Sequence, residues 1–101
     1  MKLLIITVVE GLQQEVTQLL KEANITNFSA SDIDGFRNAI PVISSENWFA
    51  SSTNTTQSHL YFSFTETDKI EKFFSLIEVF NDHLETNNPI RAVVVPIEKY
   101  I

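Results

Sequence analysis

The sequence contains no cysteine and only two glycines, Gly11 and Gly35, among 101 residues. The first absence excludes disulfides, thiolate nucleophiles and cysteine-type zinc sites together. The second leaves too few glycines to assemble a Gly-rich phosphate cradle. Positive charge is also scarce, with seven bases against thirteen acids for a net charge of −6. The bases are scattered as Lys2, Lys21, Arg37, Lys69, Lys72, Arg91 and Lys99. No basic stripe can neutralise a run of phosphates, so nucleic acid is not an expected partner. Long apolar runs are missing as well. Leu3–Val9 is short and Glu10 follows at once, which fits neither a secretory signal nor a membrane span. A cytoplasmic protein without membrane insertion is expected.

Hydrophobic residues make up 44% of the chain and charged residues 20%, a globular rather than a disordered balance. The length suits one domain over residues 1–101. Leu3–Val9 is nearly continuous, apolar and β-branched, as in a strand buried on both faces. Leu12, Val16, Leu19, Leu20 and Ala23 then form one stripe of an amphipathic helix. Gln13, Gln14, Glu15, Gln18 and Lys21 form its wet face, and Asn24 is the expected left-handed stop. Ile25 to Phe36 alternates loosely as a second strand. His59–Thr65 alternates cleanly, with Leu60, Phe62 and Phe64 on one face and Tyr61 and Ser63 on the other. Asp68 and Glu71 resemble a capping box, opening a helix whose stripe is Ile70, Phe73, Phe74, Ile77, Phe80 and Leu84. Asn87-Asn88-Pro89 breaks that helix, and Ile90–Val95 is a last strand closed by Pro96.

The order β-α-β-β-α-β predicts an α+β, ferredoxin-like fold, with an antiparallel sheet carrying both helices on one face. The long loop 37–58 stands apart, exceeding the length at which unstructured connections become uncommon unless they are functional or disordered. It carries Trp48-Phe49, either a docking element for a partner or an anchor on the protein's own sheet. The first and last strands are apolar on both faces, yet a chain of this length has nothing left to cover the second sheet face. Exposed aliphatic side chains forgo on the order of 1.5–3 kcal/mol each, and such patches mark interfaces. Assembly of several copies through their sheets is therefore expected, the alternative being that the loop 37–58 folds back over the open face.

Nothing in the sequence supports catalysis. There is no Gly-x-Ser-x-Gly elbow. His59 opens a strand, and His83 lies near a helix C-terminus, where its charge suits the dipole. Asp32 and Asp34 share one strand face, as a carboxylate pair, a cation site or a solvated surface. No metal site is assigned.

Two segments resemble the PII nitrogen-regulatory signal proteins. Ile25–Arg37 is similar to that family's second strand, a small-residue strand running into Gly-Phe-Gly and a long loop. Pro89–Glu98 resembles its last core strand and Val-Leu-Pro-Val-Glu-like close. The spacing of all four strands and both helices agrees, so the resemblance spans nearly the whole chain. It implies a homotrimer with its sheets facing inward, and a non-enzymatic regulatory protein that senses a small effector at subunit clefts. It further implies that the long loop contacts a target, such as a membrane transporter or an enzyme, with Trp48 and Phe49 on the partner-binding loop. Carried over by position, Ser29 falls where the family has a hydroxyl near the adenine. Gly35 and Phe36 lie at the loop root beside the phosphates, with Arg37 next, and Arg91 falls where a lysine contacts phosphate. The chain departs from the pattern at Arg37, which replaces the second glycine, and at Glu85–Pro89, which has no glycine and ends in a residue without an N–H. The nucleotidylated loop tyrosine is absent, since the tyrosines are Tyr61 and Tyr100. A different or lost effector is expected, and no cofactor. The alternative resemblance is to CutA-type trimers linked to divalent-metal tolerance, for which Trp48 and the acidic charge speak. The lack of cysteine and of a visible histidine pair speaks against it.

Overall fold

The computed structural model describes residues 1–36, 55–84 and 88–101; residues 37–54 and 85–87, and with them Arg37, Trp48 and Phe49, lie outside the described residues. The elements are β1 (Lys2–Val9), α1 (Gln13–Glu22), β2 (Ser29–Phe36), β3 (Thr55–Thr65), α2 (Thr67–Asp82) and β4 (Arg91–Pro96). They form one four-stranded sheet in the order β2-β3-β1-β4, each neighbouring pair antiparallel. This is the ferredoxin-like arrangement that the element order predicts.

The core lies between the helices and one sheet face. Leu4, Ile6 and Val8 of β1 meet Val16 and Leu20 of α1 and Ile70, Phe73 and Ile77 of α2. Alternate side chains of a strand point to opposite faces, so Leu3 and Ile5 lie on the far face with Val93 and Val95 of β4, which are 54% and 40% exposed. β3 runs against its own hydrophobicity. Tyr61, Ser63 and Thr65 are buried towards the helices. Leu60, Phe62 and Phe64 line the open face, where Phe62 and Phe64 meet edge to face at 6.3 Å. Ser63 is tolerated in the interior because its hydroxyl donates to the Asn27 carbonyl at 2.6 Å, so its buried oxygen is not left without a partner.

Asn24 ends α1 as expected, with φ 62°. Its N–H donates to the Lys21 carbonyl and that of Ile25 to the Leu20 carbonyl, the paired bonds of a Schellman motif. Ile25 and Leu20 are both buried. Ile25 is taken up by this stop, so β2 begins at Ser29 rather than at Ile25. Asn24→Ala is expected to lose about 1 kcal/mol by forcing a Cβ into the left-handed region without the Asn side chain's local compensation. Thermal melts should show a fall of about 4–8 °C, while Asn24→Gly shows none.

Three further boundaries differ from the sequence expectation. The capping box at Asp68 and Glu71 does not form: Glu66 is the N-cap, without a side-chain bond, and Asp68 supplies charge to the first turn. β3 begins at Thr55, so the last four residues assigned to the loop 37–58 are strand, continuing the ladder opposite Phe36, Gly35, Asp34 and Ile33. Finally, α2 stops at Asp82, before Leu84. Asn81, at its end, clamps β4: its amide donates to the Ile90 carbonyl at 2.9 Å, and its Oδ1 accepts the Ile90 N–H at 3.0 Å.

Candidate functional site

β1 ends, β4 begins and the β2–β3 pair leads towards its connection at the same end of the sheet. An open cleft of about 390 Å³ lies there. Thr7 and Val9 of β1 form its floor, with Ile33, Gly35 and Phe36 of β2 and Ser58 of β3 on one side and Asn88, Pro89 and Arg91 on the other. Register makes this grouping: Thr7 is opposite Arg91, and Ile33 is opposite Ser58.

Among the described residues that line the cleft none is acidic, and Arg91 is the one cation. Arg91 is exposed, and among the described residues no carboxylate forms an ion pair with it. A guanidinium presents five N–H donors in a planar fork and no acceptor. Thr7 is its partner across the ladder, and Phe36, 67% exposed, adds an apolar ring to the lining from β2. Chemically the cleft can hold an anion with an apolar or planar portion attached.

Of the residues singled out from the sequence, the cleft gathers Gly35, Phe36 and Arg91. Ser29 lies elsewhere. It pairs with Phe62 and borders a separate depression with Phe28 and Phe64. That is six residues along β2 from Gly35, roughly 20 Å at about 3.3 Å per residue. Arg37, Trp48 and Phe49 lie outside the described residues. Thr7 was not singled out, although it is the one hydroxyl inside the apolar run of β1.

A second polar group lies behind the cleft, on the helix side of the same strands. His59 Nδ1 is 2.7 Å from Asp32 Oδ1, and their side chains are 18% and 84% exposed. His59 Nε2 is 2.7 Å from Gln13 Nε2, and Gln13 Oε1 accepts the Gly11 N–H at 2.7 Å. Gln13 therefore leaves the wet face expected for it. Asp34 is held apart from this group, accepting from Gln57 Nε2 at 3.4 Å, so Asp32 and Asp34 do not act as a pair. His83 caps the end of α2, its Nδ1 2.8 Å from the Val79 carbonyl. Each histidine has its own protein partner. Among the described residues no group of three or more His, Asp or Glu side chains could hold a metal ion, and no helix is long and apolar enough to cross a membrane.

By sequence the chain matches no family model and no curated protein. By structure it is similar to a PII-like signaling protein from Thermus thermophilus, with a TM-score of 0.61 at 11% identity, over 92% of this chain and 82% of that one. It is also similar to CPII, a nitrogen regulatory PII-like protein from Thiomonas intermedia whose structure holds ADP, AMP and bicarbonate. Here the TM-score is 0.63 at 10% identity, over 99% of this chain and 94% of that one. The fold is that of the PII-like signaling proteins.

Proposed function

We propose that the protein is a non-enzymatic regulator that binds a small anionic effector in the Arg91 cleft and passes the signal to a target protein through the connection between β2 and β3. The observation that carries this reading is the exposed Arg91 guanidinium in a cleft with no carboxylate among its described lining residues, on a chain of net charge −6. Gly35 and Phe36 lie in that cleft immediately before residue 37, so an occupant would bear directly on the root of the connection that carries Trp48 and Phe49. The fold neighbours support the regulatory role, and the three small molecules held by CPII are anions or carry anionic groups.

The working unit in this reading is a homotrimer in the cytoplasm, its open sheet faces turned inward. Ser29 borders a different depression from the Arg91 cleft. In this reading a Ser29 contact comes from a second copy, whose depression at Phe28 and Phe62 faces the cleft of the first. The target is a protein, such as a membrane transporter or an enzyme, engaged through Arg37, Trp48 and Phe49.

Isothermal titration with ADP, AMP and bicarbonate tests the effector step. At least one should bind, and Arg91→Ala should weaken it by about 10–100-fold, the value of a hydrogen-bonded charge contact. Trp48 is the only tryptophan, so its emission should change on binding in the parent protein and stay flat in Arg91→Ala at the same concentration. No heat with any of the three, or equal affinity in the variant, would remove this reading.

A further inference from the structure

The group behind the cleft fixes its own proton positions. The Gly11 N–H donates to Gln13 Oε1 at 2.7 Å, so the other end of that amide is the NH2. That NH2 faces His59 Nε2 at 2.7 Å and donates to it. Nε2 is therefore unprotonated, and the ring proton sits on Nδ1, where it is donated to the Asp32 carboxylate. The chain of bonds runs Gly11 to Gln13 to His59 to Asp32 with every donor matched to an acceptor. It joins the β1–α1 turn, the first residue of α1, β3 and β2, and Gln13 and His59 are 46 positions apart in sequence.

The strand members of this group adjoin cleft residues that point to the opposite face. Asp32 precedes Ile33, His59 follows Ser58, and His59 is opposite Val8, which precedes Val9. We propose that His59 is a positioning residue for the cleft, tying the β1–α1 turn to β3 and β2 in its neutral Nδ1–H form and releasing that turn when it is protonated. The release follows from donor and acceptor count. An imidazolium donates from both nitrogens, so its Nε2–H meets the Gln13 NH2, donor against donor. If the Gln13 amide turns over to present Oε1, it withdraws the acceptor from the Gly11 N–H. The Asp32 bond becomes an ion pair at the same time, so the hold on β2 tightens while the hold on the β1–α1 turn is lost.

Few other charges bear on the ring. Among the described residues Asp32 is its ion-pair partner. Asp34, on the same face of β2, is engaged by Gln57. β1 contributes Val8 opposite the ring, and α1 contributes the neutral Gln13. Histidine is the side chain whose charge changes most readily around neutral pH.

This regulation rests on the proposed effector site, but its test uses no ligand, so the two can fail separately. Nitrogen-15 NMR of the full chain across a pH range of about 5–8, where histidine titrates, should show the Nδ1–H tautomer for neutral His59. The amides of Gly11, Val9, Ile33 and Ser58 should shift with the same midpoint as the His59 ring, and Gly11 exchange, relative to the unstructured rate at the same pH, should quicken by about fivefold on protonation, the effect of losing one hydrogen bond. Gln13→Leu should uncouple the Gly11 and Val9 amides from the ring while Ile33 and Ser58 stay coupled through Asp32 and His59, and His83→Gln should leave all four coupled. An Nε2–H tautomer in the parent protein, a reading that needs no variant to fold, would overturn the proposal. So would Gly11 and Val9 amides that ignore the His59 midpoint, or that follow it equally in Gln13→Leu.

Discussion

On the proposed assembly through the open sheet faces, Phe62→Asp is expected to leave a folded monomer. Phe62 stands near the middle of the open sheet face, opposite Ile5 of β1 and Ser29 of β2, with Val93 the next apolar side chain across β1. Phe64, Leu3 and Val95 form the adjoining row, and Phe64 is 55% exposed. These six apolar side chains face outward on a sheet whose other side is already filled. Each would contribute about 1.5–3 kcal/mol on full burial, so copies that bring these faces together gain far more than a surface contact. An aspartate in the middle of that contact is a buried charge without a partner, a cost of about 3–5 kcal/mol per site. The association constant should fall by at least about a hundredfold. The helix-side core does not include Phe62, so far-ultraviolet circular dichroism should be unchanged. Light scattering behind a sizing column reads the mass. A parent protein that is already monomeric at micromolar concentration, or a variant of unchanged mass, would show that the open face is not the interface.

The same residues show what a sequence can and cannot yield. The helix stripes, the stop at Asn24 and the two-sided apolarity of β1 and β4 are local patterns, and the structure follows them. Periodicity in β3 separates Leu60, Phe62 and Phe64 from Tyr61 and Ser63, but it does not say which set turns inward. A hydrophobicity argument would bury the phenylalanines. The structure buries Ser63 and Thr65 instead, and one hydrogen bond from Ser63 to Asn27 offsets the cost at that position. The cleft was legible in part: Gly35, Phe36 and Arg91 were named from family resemblance, whereas Thr7 enters because register puts it opposite Arg91. The Gln13–His59–Asp32 chain was not legible. Its members lie on three elements and meet only once the sheet order β2-β3-β1 is set. Gln13 in isolation looks like any polar residue on a helix surface. The Asn81 clamp on Ile90 escapes for the same reason, because it satisfies backbone groups at the start of another element.

Phe73→Ala makes the opposite test on the other side of the sheet. Phe73 is 0% exposed and is the largest of the fully buried side chains, set on α2 in the cluster with Leu4, Ile6, Val16 and Leu20. Removing its ring loses the transfer free energy and leaves a cavity that a core tied to two helices closes only in part, an expected loss of about 3–5 kcal/mol. Domains of this size have about 5–15 kcal/mol in total, so the melting temperature should drop by at least about 15 °C. What separates the two phenylalanines is the response to concentration. Association stabilises the folded state by mass action, so the parent's melting temperature should rise with protein concentration. Phe73→Ala should lower the whole curve and keep that rise, because the open face is untouched. Phe62→Asp should remove the rise and converge on the stability of the isolated subunit. If Phe73→Ala also abolished the concentration dependence, the two faces would not be independent, and the subunit could not be treated as a folded unit that then assembles.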